Sequence, residues 1–140
     1  TKPWEEGFSL VELVVVIAVL AILAAVAIPA FQGVQVRAKV AAVKNGMVNG
    51  VKECVVSAGL DLGTTYDKAQ AFKGTYTGFT VQKRNGTQDT CYKVEAVPNA
   101  AGVDYGWFVL EYDSTTGVST KTCNPAYTIG CEKVGNIGVW

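Results

Sequence analysis

Two groups of residues in this chain have types and spacing that could do chemistry: a lone glutamate, Glu12, at the mouth of a long apolar run, and four cysteines. Glu12 stands in Gly7-Phe8-Ser9-Leu10-Val11-Glu12-Leu13-Val14, and no side chain over residues 13–28 is charged or polar. An ionised carboxylate in a membrane-embedded helix costs on the order of 2.5 to 3.5 kcal/mol at mid-bilayer and less near the interface, so one kept there implies a partner. The chemistry it offers is charge pairing. Cys54, Cys91, Cys123 and Cys131, in a chain with no histidine and no Cys-x-x-Cys, read as two disulfides and not as a zinc or redox site. They place the part that carries them in an oxidising compartment.

Signatures of catalysis are missing. There is no phosphate-binding glycine loop, no Gly-x-Ser-x-Gly and no metal-ligand spacing, so the expectation is a chain without catalytic residues, cofactor or bound metal. Asp104, Glu111 and Asp113 could gather around calcium, but a turn and solvated strand charges account for them. Lys83-Arg84 near Tyr76 and Phe79 could touch DNA, and Asn85-Gly86-Thr87 fits a glycosylation acceptor. A hairpin turn with two exposed basic flanks explains both.

The elements that must position Glu12 and the cysteines follow from the apolar pattern. Lysine plus arginine, 12, equals aspartate plus glutamate, 12, in 140 residues, so no global field steers the chain toward nucleic acid or an anionic surface. Taking off an N-terminal helix of about fifty residues leaves about ninety, enough for one small core. As a spanning helix, residues 8–28 would reach about 31 Å, the thickness of the hydrocarbon core. As a secretory signal peptide they would end at Ala25-Val26-Ala27, an A-x-A cleavage site, but the first six residues hold one lysine and two glutamates where a basic region is wanted. As a buried core helix they would need covering on every side by the remaining residues, which have a core of their own to fill.

Past Pro29 the pattern changes. Val36, Val40, Val43, Met47, Val51 and Cys54 recur at helical spacing, with Arg37, Lys44, Asn45, Lys52 and Glu53 mostly off that stripe. The chain thus continues as one long helix, apolar all round and then amphipathic to about Gly59. Pro29 lacks an amide hydrogen and Gly33 weakens the helix nearby, which predicts a kink or a locally unwound stretch there. Gly46 and Gly50 either let the sheet approach closely or form a helix-pairing motif.

With these residues in view, the N-terminal 40% or so of the chain resembles the type IV pilin and pseudopilin family. The resemblance rests on residues 7–12, the apolar stretch after them, Ala27-Ile28-Pro29-Ala30-Phe31 and the amphipathic continuation. It implies that a prepilin peptidase cuts between Gly7 and Phe8 and that Phe8 is then N-methylated. It also implies that Glu12 pairs with the N-terminal amine of a neighbouring subunit, the Phe8 amine, during assembly. Such a pair neutralises two charges that would each be strongly unfavourable alone in an apolar filament core, and it can fix register. Two features depart from the family pattern: Ala21 stands where a glycine is common, leaving Pro29 and Gly33 as the sites of any unwinding, and the leader is short and acidic. Residues 1–7 are expected to be the whole leader, with Thr1 following a removed initiator Met.

The remainder reads as β-rich runs at 76–82, 90–97, 107–112 and 118–123, divided by turns at Asn85-Gly86, at residues 98–102 and at residues 113–117. A short helical turn is expected at 67–72, and residues 135–140 could add an edge strand. Four cysteines allow three connectivities. The Pro- and Gly-containing loop from Cys123 to Cys131 favours a local clasp, which leaves Cys54 with Cys91 and fastens the helix to the second strand. The clasp also resembles the surface-exposed C-terminal loop of many type IV pilins.

The expected fold is therefore α+β: a leader over 1–7, a transmembrane and filament-core helix over 8–35, and a globular domain over 36–140. In that domain an amphipathic helix, 36–59, packs on an antiparallel sheet of about four strands. The expected function is structural, as a subunit of an extracellular type IV pilus serving adhesion, motility or DNA uptake. Its implied partners are copies of itself in a helical homopolymer, the inner membrane before assembly, the prepilin peptidase and the pilus assembly machinery; DNA or a surface ligand has no support of its own. The alternatives are a pseudopilin of a type II secretion system and a membrane-tethered binding domain that never polymerises.

Overall fold

The computed structural model describes residues 7–84, 88–100, 103, 105–125 and 128–140. It divides between Gln35 and Val36 into two compact units, and helix α1, Leu10–Gly59, contributes to both. In the first unit every described residue is exposed. Among the described residues α1 is the one helix long and apolar enough to cross a membrane, and none of its apolar window is buried. Leu10, Val11, Ile22 and Val26 are all two-thirds or more exposed, an apolar surface far larger than a soluble monomer leaves uncovered. Pro29 removes the N–H that would reach back one turn, yet the backbone stays helical at Pro29 and at Gly33 and does not unwind locally.

The second unit, Val36–Trp140, holds the core. Val40, Val43, Met47, Val51 and Cys54 are buried on one stripe of α1, the face that the helical spacing marks. Burying each large aliphatic side chain is worth about 1.5 to 3 kcal/mol, so this stripe alone anchors the helix. It packs with Phe79, Val94, Ala96, Phe108 and Leu110, the inward residues of the sheet. Two short 3₁₀ turns, Tyr66–Lys68 and Gln70–Lys73, connect helix to sheet and add Phe72 to the core. Glu53 accepts the Ala71 N–H at 3.0 Å and ties this connection to the helix.

The glycine pair on α1 is used inside the subunit. A Cβ at Gly50 would lie 2.2 Å from the Phe72 ring, and one at Gly46 would lie 2.0 Å from the Tyr76 hydroxyl. The close approach is thus made by rings of the connecting segment and not by the sheet, and it occupies the face that a helix-pairing motif would need. Gly50→Ala should gain about 1 kcal/mol of helix propensity and lose about 1 to 3 kcal/mol to overpacking. Because Phe72 is buried and has nowhere to go, the loss wins. The expected result is a fall of several degrees in thermal midpoint of the full chain in micelles, against no loss for Gly33→Ala, where a Cβ meets nothing.

The sheet is antiparallel throughout, in the order β1-β2-β3-β4-β6-β5, with β1 Phe79–Lys83, β2 Lys93–Pro98, β3 Trp107–Asp113, β4 Val118–Asn124, β5 Glu132–Val134 and β6 Ile137–Val139. Six strands replace the four expected. β5 and β6 have three residues each, too few to show an alternating pattern, and they turn at Gly135 with φ +62°. The C-terminal strand is also not an edge: β6 lies between β4 and β5, and β5 is the edge. Gly138 makes this possible, since a Cβ there would stand 2.2 Å from the Cys123 carbonyl oxygen.

The C-terminal end is pinned by polar contacts. The Trp140 indole N–H is shared between the carbonyls of Thr122 at 2.9 Å and Val109 at 3.1 Å. Lys44 of α1 donates to the Gly130 carbonyl at 2.6 Å and stands 5.0 Å over the Phe108 ring and 5.6 Å over that of Trp140. Burial lowers the Lys44 pKa, with Glu132 opposing and Lys121 adding to the shift.

Candidate functional site

Ser9 and Glu12 build the start of α1 between them. The Ser9 N–H donates to Glu12 Oε2 at 2.9 Å, and the Glu12 N–H donates to Ser9 Oγ at 3.2 Å. The Ser9 carbonyl accepts the first helical bond, from Leu13 N–H at 3.1 Å. This is a capping box, in which an N-cap serine and an acid three residues on satisfy each other's orphan amides. It also sets the carboxylate in the first turn, where the helix dipole favours an anion by about 0.3 to 1 kcal/mol. Oε1 of Glu12 has no partner among the described residues. The site can therefore hold one external cation without giving up its own helix cap.

Ser9 is the functional residue that the expectations above omit. Its signal lay in plain view as Ser-x-x-Glu ahead of an apolar run.

Ahead of the cap, residues 7–9 carry no regular structure, and Phe8 is 91% exposed. The Gly7–Phe8 bond thus lies outside the helix on accessible backbone. A Cβ on Gly7 would meet nothing within 4 Å, so no contact within the described fold requires glycine there. Residues 1–6, the rest of the expected leader, lie outside the described residues.

The other residues singled out from the sequence fall elsewhere. Cys54 is joined to Cys91 and Cys123 to Cys131. Cys91 sits in the turn just ahead of β2, not within the second strand, because β2 begins at Lys93. The cations at Lys83 and Arg84 pair with Asp89 at 3.0 Å and Glu111 at 2.9 Å, and Phe79 is buried in the core, so they do not form a free basic patch. Glu111 is thereby engaged with Arg84, while Asp113 accepts from the Thr115 and Thr116 N–H groups across its turn, which hold its pKa below the usual carboxylate range. Asp104, the third candidate calcium ligand, and the Asn85-Gly86-Thr87 acceptor lie outside the described residues. Among the described residues no cluster of His, Cys, Asp or Glu could hold a metal ion.

Comparison with known families finds one match, to the prokaryotic N-terminal methylation motif, over residues 5–28. No curated protein and no solved structure matches the chain. The matched segment contains Gly7, Phe8, the Ser9–Glu12 cap and the uncovered apolar helix, and together they fit an inner-membrane precursor that a prepilin peptidase processes. Over residues 5–28 the chain thus carries the N-terminal methylation motif, the signal motif of type IV pilins and pseudopilins.

Proposed function

We propose that the chain is a structural subunit of an extracellular type IV pilus, without catalytic activity, assembled from the inner membrane through its N-terminal helix. The observation that carries this reading is the Ser9–Glu12 cap at the head of an apolar helix whose membrane-length window is wholly unburied among the described residues. In this reading cleavage between Gly7 and Phe8 frees an amine, N-methylation of Phe8 follows, and the amine of one subunit meets Glu12 Oε1 of the next. Each pair neutralises two charges that would be costly alone in an apolar core. A glycine that no contact in the described fold requires supports recognition by the peptidase as its reason for being at position 7. The filament's work would be adhesion, motility or DNA uptake.

Intact mass and N-terminal sequencing of exported protein test the processing step. The expected mature chain begins with N-methylated Phe8; one beginning at Ile28 would establish a signal peptide, and one retaining Thr1 would remove the cut site. Electron microscopy of material sheared from cells tests the assembly. Long fibres are expected, a short stub points to a pseudopilus, and no fibre at all leaves a tethered domain.

A further inference from the structure

We propose that the cleft between α1 and the Cys123–Cys131 loop, lined by Arg37, Val40, Ala41, Lys44, Ile129 and Gly130, binds the phosphodiester headgroup of an anionic phospholipid while the subunit is in the membrane. The cleft has a volume of about 350 Å³, within the range of ligand pockets. Arg37 and Lys44 stand two helical turns apart and so share one flank of α1. Arg37 has no partner among the described residues, and Lys44 gives one N–H to the Gly130 carbonyl and forms no ion pair there. Gly130, at φ +78°, keeps the loop close to the helix: a Cβ there would stand 2.6 Å from Val40 Cγ1 and 2.7 Å from Lys44 Nζ.

The choice of ligand follows from charge and from the place of the cleft along the chain. Two cations line it and no carboxylate does; Glu132, which acts on Lys44 through space, lines a separate hollow. The same bias runs along the helix, where Arg37, Lys39, Lys44 and Lys52 occur with no acid between Glu12 and Glu53. Two cations beside Val40, Ala41 and Ile129 are too few and too apolar a setting for a nucleic acid, which needs clustered positive charge. An acidic protein segment would meet the same charges, but a bilayer brings its phosphates to this place without a further partner. Arg37 is the first charged residue after Glu12, just past the apolar window that no described residue buries. At about 1.5 Å per residue a helix rises about 37 Å from residue 12 to residue 37, more than the hydrocarbon core of about 30 Å and less than the 40 to 45 Å or so that includes both headgroup layers. With Glu12 at one interface, Arg37 thus reaches headgroup level at the other. A guanidinium holds a phosphate through two parallel N–H···O bonds, and the Lys44 ammonium adds a point charge. The apolar lining suits the glycerol esters beside the phosphate, while the acyl chains stay in the bilayer. This site rests on the inner-membrane reading and is independent of filament formation.

The full chain in phosphatidylcholine vesicles, at about 0.15 M salt to screen charges more than about 8 Å apart, tests the site. The probes are spin-labelled phosphatidylglycerol and spin-labelled phosphatidylcholine, and electron paramagnetic resonance of the immobilised fraction of each gives their relative association. One cation at a membrane surface favours an anionic lipid about fivefold, so the two in the cleft should give phosphatidylglycerol a preference of about tenfold or more. Arg37→Gln, at an exposed position, should cut that preference about fivefold with the thermal midpoint unchanged. Lys39→Gln should cut it less than about twofold, because Lys39 lies beside Gly78 on the other flank of α1 and outside the cleft. Co-flotation with the vesicles establishes insertion. In a chain that co-floats, equal association of the two lipids would overturn the site alone. Equal losses in Arg37→Gln and Lys39→Gln would do the same, since they would leave only a diffuse field, and so would displacement of the labelled lipid by millimolar inorganic phosphate, which would give the cleft to a free anion. A chain that fails to co-float would overturn the inner-membrane reading and the site with it.

Discussion

Glu12→Leu should leave the subunit folded and inserted and should nearly abolish filaments. The substitution raises apolarity in a segment already apolar and exposed, so insertion does not suffer. It removes one acceptor from the helix cap, which costs about 0.5 to 2 kcal/mol of local helix stability. In a filament the same change leaves the neighbour's Phe8 ammonium unpaired among apolar helices, a loss of about 3 to 5 kcal/mol for a buried ion deprived of its partner. At about 1.4 kcal/mol for each factor of ten, that is a hundredfold or more at every subunit added. Glu12→Gln separates the two roles. Glutamine also closes a capping box, so the cap survives while the charge goes, and filaments should still be strongly reduced. Ser9→Ala does the opposite: it removes the Oγ acceptor and keeps the carboxylate, and filaments should persist. The measurement is the protein in the sheared fraction against that in the membrane, with thermal unfolding of the full chain in micelles as the folding control. Normal filament numbers in both Glu12 variants would remove Glu12 from the assembly contact.

Helix and cap were legible because each is local. The stripe Val40, Val43, Met47, Val51 and Cys54 shows its period in the sequence, and the same residues are the buried face. The long runs of β3 and β4 likewise announce themselves, ending one residue beyond the expected bounds. β1 and β2 start three residues later than expected, since Tyr76 is held back by its hydroxyl bond to the Ala71 carbonyl at 2.6 Å and Cys91 by its amide bond to Thr64 at 2.8 Å. β6 falls within residues 135–140, expected as a possible added strand but at the edge and not inside the sheet, whereas β5 was not legible, because three residues beside a turn carry no pattern. Their pairing is imposed from outside, by the Cys123–Cys131 link and the Trp140 indole bond to the carbonyls of β3 and β4. The function of Gly46 and Gly50 was equally non-local, for the rings that fill the space beside them come from more than twenty residues away. Of the candidate site, the glutamate was readable and its serine partner was readable but passed over.

Loss of the Cys54–Cys91 bridge should destabilise the domain more than loss of the Cys123–Cys131 clasp. The two bridges span 37 and 8 residues, and the loop entropy each removes from the unfolded chain is about 3.8 and 2.5 kcal/mol respectively. A domain of this size has only about 5 to 15 kcal/mol in total, so the first figure is a large share of it. Packing widens the gap. Cys54 and Cys91 are both fully buried, and their link holds the connection from helix to β2 in place at a point where the Cys91 N–H bonds the Thr64 carbonyl and Asp89 bonds the Tyr66 N–H. The clasp, in contrast, closes a short loop that Lys44 and Trp140 also hold by independent contacts. Replacing both members of each pair by alanine and following urea unfolding of the full chain in micelles gives the comparison. The Cys54→Ala, Cys91→Ala variant should lose at least about 1 kcal/mol more than the Cys123→Ala, Cys131→Ala variant. A larger loss from the clasp variant would mean that the C-terminal hairpin, and not the seam between helix and sheet, is where the domain comes apart first.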